Sequence, residues 1–190
     1  MVTLIHNASI YLPHQILAHG WVLIRGGIIE KIGVDEPPSL DDGNTYDAHG
    51  NKVLPGFIDI HVHGAIGHES MDASAEGLIS MAHYYAKHGV TSFLPTTWAA
   101  PFDSLLPVFD NIRHVMGMSY AGAQILGAHV EGPFIHPAKA GAQNPDAIYP
   151  ASRTLIDQLI AQEIVKLVTL APEIPENQQI IPQLRSHGIA

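Results

Sequence analysis

From residue 53 onward, strand-like and helix-like stretches alternate, and this alternation limits the fold more than any other feature of the chain. Val53-Leu54 leads through Pro55-Gly56 into a strand pattern over 57–62. A helix is predicted over 75–88, where Leu78, Ile79, Ala82, Tyr85 and Ala86 recur at helical spacing and Gly89 stops the run. Strand 90–94, helix 102–118, strand 123–130, helix 152–162 with Ser152 as N-cap, strand 165–171 and helix 176–187 follow in turn. Ile189-Ala190 begins a further extended segment. Strands alternating with helices read as βαβ units, in which each helix carries the chain back to the start of the next strand and the sheet is parallel. The pattern therefore predicts an α/β fold with about four β/α units and a fifth strand starting.

Residues 1–52 follow a different pattern and read as a separate β-structured segment. Residues 2–5 form a short apolar run, and 21–25 and 28–32 flank Gly26-Gly27, a two-residue hairpin signal. Pro37-Pro38 and Asp41-Asp42-Gly43-Asn44 mark loop. The domains expected are thus 1–52 and 53–190. Hydrophobic residues make up 46% of the chain and charged residues 14%, a globular rather than disordered composition. A formal net charge of −9 argues against nucleic acid as a partner, while a local pocket could still receive an anionic sugar phosphate. No apolar run is long enough for a membrane span and no signal peptide is recognisable, so membrane is not an expected partner, and the absence of cysteine makes a reducing cytoplasm the expected location. The chain has thirteen histidines and no cysteine, so any transition-metal site must use nitrogen and oxygen donors.

Three residues stand out as such donors. His61 and His63 sit two apart at the end of the strand over 57–62, so both imidazoles are expected on one face, with Asp59 beside them and Ile60 and Val62 on the other. Glu131 closes the strand over 123–130, where Gly132-Pro133 ends the apolar run. An acidic group seldom ends an apolar strand unless it is paired, hydrated or bound to metal. In a (β/α)₈ barrel, reactive residues occupy the C-terminal ends of the strands, and His61, His63 and Glu131 would share that rim. Two imidazoles and a carboxylate suit Zn²⁺, Fe²⁺ or a related divalent ion. His129 is expected to pack or support rather than ligate, Thr96 and Thr97 to be loop hydroxyls, and Lys166, at the start of its strand, to be structural. The connection over 136–150, with Lys139, Gln143 and Asn144, is long for a βα loop and hints at substrate contact.

These residues lie in strings that resemble a known family. Pro55-Gly56-Phe57-Ile58-Asp59-Ile60-His61-Val62-His63-Gly64 is similar to the first-strand signature of the amidohydrolase superfamily. Gly89-Val90-Thr91-Ser92-Phe93-Leu94-Pro95-Thr96, His129-Val130-Glu131-Gly132-Pro133-Phe134, Gly141-Ala142-Gln143-Asn144-Pro145 and Leu170-Ala171-Pro172-Glu173 resemble, in order and spacing, the N-acetylglucosamine-6-phosphate deacetylases of that superfamily. The resemblance implies the first half of a (β/α)₈ TIM-type barrel, preceded by a small β-sandwich segment. It implies Glu131 as principal metal ligand and His61 and His63 as ligands of a second metal site, so one or two ions. It implies substrate contact through the loop at Ala142 and Gln143. The family commonly carries Lys before the loop glycine and His after the small residue, where this chain has Ala140 and Gln143.

The reaction implied is hydrolysis of the acetamide of an N-acetylated amino sugar 6-phosphate, with a homo-oligomer, a dimer, for the full-length protein. No catalytic residue is expected within the chain, since the general-base Asp and the phosphate-binding residues of the family fall beyond Ala190. The 190 residues alone are expected to be inactive. Two alternatives remain open: a different amidohydrolase or a related amino sugar phosphate deacetylase, and a noncatalytic metal-binding fragment. Amidohydrolases that use a modified lysine at the end of the fourth strand are disfavoured, because that strand here ends Thr169-Leu170-Ala171.

Overall fold

A computed structural model describes residues 1–190. The chain forms two compact units, Met1–Pro55 and Gly56–Ala190.

The first unit is one mixed five-stranded sheet. Strands β1 (Val2–Tyr11), β2 (Ile16–Arg25), β3 (Ile28–Gly33), β4 (Asn44–Asp47) and β5 (Lys52–Val53) pair in the order β3-β2-β1-β4, with β5 also on β1. The β2–β3 hairpin turns on Gly26 and Gly27 at φ 60° and 83°, the left-handed pair that a two-residue type I′ turn demands. β1 is longer than its first apolar run suggested. Asn7, at φ 52°, makes a bulge that lets pairing with β2 resume at Ala8. Alternation along β2 sends Trp21 and Leu23 into one apolar cluster with Leu4, and Val22 into another with Ala8 and Ile10.

The second unit is a parallel sheet with helices packed against it. It comprises β6 (Phe57–Val62), a small hairpin β7 (Gly64–Ala65) and β8 (His68–Glu69), α1 (Ala75–Lys87), β9 (Val90–Thr97), α2 (Phe102–Met116), β10 (Gln124–Ile125), β11 (Ala128–Glu131), α3 (Arg153–Ile160), β12 (Val165–Thr169) and α4 (Pro175–Ser186). β9 pairs in parallel with β6, β10 and β11, and β11 with β12, so the sheet follows sequence order. Ala190 continues the series: its N–H donates to Lys166 O and its carbonyl accepts from Val168 N, at 3.0 and 2.9 Å. α1 starts where Ser74 Oγ accepts the Gly77 N–H, and it buries Leu78, Met81, Ala82 and Tyr85. α2 buries Leu105, Val108, Phe109, Ile112 and Val115 at the same spacing. These residues join Phe93, Val130, Val165 and Val168 of the strands in one continuous core.

Three sequence expectations change. The strand expected over 123–130 is broken at Leu126-Gly127 into β10 and β11. Gly127 sits at φ 147°, and a side chain there would fall 2.3 Å from Ile164 O. β9 runs on through Pro95 to Thr97, although proline normally marks an edge or an end. The reason is a bond between strands: the hydroxyl of Thr96 accepts the Val62 N–H at 2.9 Å, replacing a ladder bond beside the proline. Thr96 and Thr97 are therefore fully buried strand residues, not loop hydroxyls.

Candidate metal centre

The exposed ends of β6 and β11 are neighbours of the central strand β9, and this order brings distant residues together. His63 Nε2 lies 2.9 Å from Glu131 Oε2, and His61 Nε2 lies 3.9 Å from the same oxygen. One donor atom from each of the three side chains falls within 4.8 Å of the others. All three are expected site residues.

Asp59, expected on the same face, is not in the cluster. β6 carries a bulge: Asp59 registers with Phe93 and Val62 with Pro95, three residues against two. Phe93 lies on the helix side, edge-on to Tyr85, and Val62 also packs into that core. The bulge thus breaks the period of two between Asp59 and the histidines. The Asp59 carboxylate accepts the His61 N–H at 3.1 Å instead.

The support around the cluster is specific. His63 Nδ1 donates to Thr96 O at 3.2 Å, which leaves Nε2 to face Glu131. An imidazole nitrogen and a carboxylate oxygen 2.9 Å apart must share a cation or a proton. His129, on the same face of β11 as Glu131, is buried. Its Nδ1 donates to Ile60 O at 2.9 Å, and its Nε2 accepts from Thr169 Oγ1 at 2.8 Å. Burial, reinforced by neighbouring His61, holds its pKa below the ordinary histidine value, and the hydrogen bond to Ile60 only partly opposes this. A neutral imidazole thus ties β6, through Ile60, to β11 and β12 directly beneath His61, as the supporting role expected for it requires. Lys166 is exposed at the opposite end of β12.

A cleft of about 530 Å³ opens beside His63, walled by Trp98, Ala99, Ala142, Gln143 and Asn144. Gln143 Nε2 donates to Glu131 Oε2 at 2.9 Å, and Gln143 Oε1 accepts the Ala99 N–H at 2.7 Å. Trp98 escaped the sequence reading. Its ring lies 6.3 Å from that of His63 and is partly exposed. A tryptophan immediately after a barrel-type strand was the available signal.

The donor set fits a divalent transition metal. Tetrahedral bonds of about 2.0–2.2 Å place donors roughly 3.3 Å apart, and the separations of 2.9 and 3.9 Å bracket that spacing. Parallel β/α architecture with a His-x-His strand end facing a strand-end glutamate defines a class, and the chain belongs to the amidohydrolase family, whose profile matches residues 52–178. Within it, the chain is similar to N-acetylglucosamine-6-phosphate deacetylases. The Bacillus subtilis enzyme of that name is 34% identical over 98% of this chain and 48% of its own length. N-acetylgalactosamine-6-phosphate deacetylase of Escherichia coli O157:H7 is 36% identical over 72% of this chain and 37% of its own. The crystal structure of N-acetylglucosamine-6-phosphate deacetylase from Pasteurella multocida superposes with a TM-score of 0.90 at 28% identity, covering 100% of this chain and 49% of that one. The chain spans about half the length of the curated relatives it matches.

Proposed function

We propose that this chain contributes the metal-binding half of an enzyme that hydrolyses the acetamide of N-acetylglucosamine 6-phosphate to glucosamine 6-phosphate and acetate. The convergence of His61, His63 and Glu131 beside a cleft carries the reading. In it, 1–52 is a strand-rich accessory domain, one layer of a β-sandwich, and 53–190 is the first half of a (β/α)₈ barrel. The protein is cytoplasmic and works as a dimer. No helix is long and apolar enough to cross a membrane.

The three side chains would hold one or two divalent ions such as Zn²⁺ or Fe²⁺. Such an ion, when bound, lowers the pKa of water toward about 7 and polarises a carbonyl oxygen. The chain's own residues do the rest of the positioning. Thr96 O fixes the tautomer of His63, and His129 fixes the height of Ile60 and hence of His61. Ala142 and Gln143 form the wall against which the sugar lies, and Trp98 offers an aromatic face opposite. The general-base Asp of the reaction is a group outside residues 1–190.

Metal content separates this reading from a site that binds nothing. Wild type should take up transition metal, and His61→Ala, His63→Ala and Glu131→Gln should each take up less. Equal metal in all four proteins would refute the site. For substrate, the full-length enzyme should prefer the phosphorylated sugar by at least about tenfold in kcat/KM, the value of one charge-assisted contact. Equal values for the two sugars would refute the assignment of the phosphate.

A further inference from the structure

We propose that Gln143 is a positioning residue for Glu131: its side-chain amide sets the orientation of that carboxylate and locks the cleft loop to it. This rests on the reading of His61, His63 and Glu131 as metal ligands. The amide is held at both ends. Its NH₂ donates to Glu131 Oε2 at 2.9 Å, and its carbonyl oxygen accepts the Ala99 N–H at 2.7 Å.

The chemistry of the two partners fixes the orientation. A carboxylate only accepts and a backbone N–H only donates, so a flipped amide would lose both bonds and face like against like. A bridge between these partners needs one donor and one acceptor on the same side chain. An ionised glutamate cannot donate and a lysine cannot accept, so neither could replace it.

Two consequences follow. Glu131 stands at the end of β11 and its carboxylate is partly exposed, so without a fixed partner it would sample several rotamers. Gln143 removes that freedom before any ion arrives, which is how outer partners of ligating carboxylates raise affinity. The same side chain also joins the wall at Ala142 and Asn144 to Ala99, just after β9. Loop position and carboxylate orientation therefore depend on one amide.

The test is Co²⁺ titration of the purified protein, read by absorbance, for wild type, Glu131→Gln, Gln143→Leu, Gln143→Ala and Gln143→His. Leu keeps the volume and removes both bonds. Ala removes them without adding bulk, so a Leu variant that fails to fold leaves the test intact. Both should raise the Co²⁺ Kd by about tenfold or more, the usual effect of losing such a partner. Gln143→His, which can still donate and accept, should recover most of it and return the wild-type cobalt spectrum. Leu or Ala variants that bind Co²⁺ as tightly as wild type would overturn the inference while leaving the site intact. A loss that His fails to restore would assign the effect to packing and also overturn it. If Glu131→Gln binds as wild type does, the site reading itself fails, and the inference with it.

Discussion

Asn177 offers the most direct measurement of what holds the exit of β11 in place. It is fully buried in the first turn of α4 and bonds three separate backbone segments. Its Nδ2 donates to Phe134 O at 2.6 Å and to Ala171 O at 3.1 Å, and its Oδ1 accepts the Ala151 N–H at 2.8 Å. In Asn177→Ala the two carbonyls keep partners, since Phe134 O still accepts Ala171 N–H and Ala171 O still accepts Ile174 N–H. Only the Ala151 N–H is orphaned. That group costs about 1–3 kcal/mol and the two lost bonds about 1 kcal/mol each, while alanine returns roughly 0.6 kcal/mol of helix propensity. The net destabilisation expected is about 3 kcal/mol. At an m-value of about 2–3 kcal/mol/M in urea, the midpoint should fall by roughly 1 M. Asn177→Asp is the sharper probe. Its second oxygen would face two carbonyl oxygens, so the folded state favours the protonated acid and raises its pKa. That contribution is present below the unfolded aspartate value and is lost as pH rises through the raised one, so the variant should be weakest near neutrality and recover in mild acid. An Ala variant with an unshifted midpoint, or an Asp variant as stable as wild type at pH 7, would refute this account.

Three further outcomes are expected. Ile66, a β-branched residue at φ 50° in the β7–β8 turn, precedes Gly67 at φ 84°, so Ile66→Asn should create a favourable Asn-Gly type I′ turn and raise stability by about 1 kcal/mol, seen as a Tm about 2–4 °C higher. Gly127→Ala should cost more than about 3 kcal/mol by urea denaturation, because its Cβ would meet Ile164 O at a φ that L-residues avoid. Burial pushes the Tyr85 hydroxyl up to about 12, and this hydroxyl finds no hydrogen-bond partner in the protein. Above pH 10 the unfolded chain loses this proton while the folded one keeps it, so stability falls between about pH 10 and 12; Tyr85→Phe should remove that loss and cost nothing at pH 7, measured by urea midpoints across pH.

The order of elements in the second unit was legible in the sequence because it rests on local patterns. Periodicity, Ser152 as a cap, and the glycines that end helices all act within a few residues. The Gly26-Gly27 hairpin was legible for the same reason. His61, His63 and Glu131 could be chosen because strand ends at one rim of a parallel sheet must be neighbours, so a local pattern implied a distant contact. What the sequence could not set was how strands meet. Pro95 looked like a strand end until Thr96 supplied an acceptor to Val62, thirty-four residues away. Asp59 looked like a companion of the histidines until the bulge against β9 broke their shared face and left its carboxylate on the His61 N–H. Gln143 looked like a loop residue open to substrate, and only the approach of Ala99 and Glu131 engaged both ends of its amide. Each of these outcomes depends on a hydrogen bond between segments far apart in the chain, and such a bond leaves no trace in the periodicity of either segment.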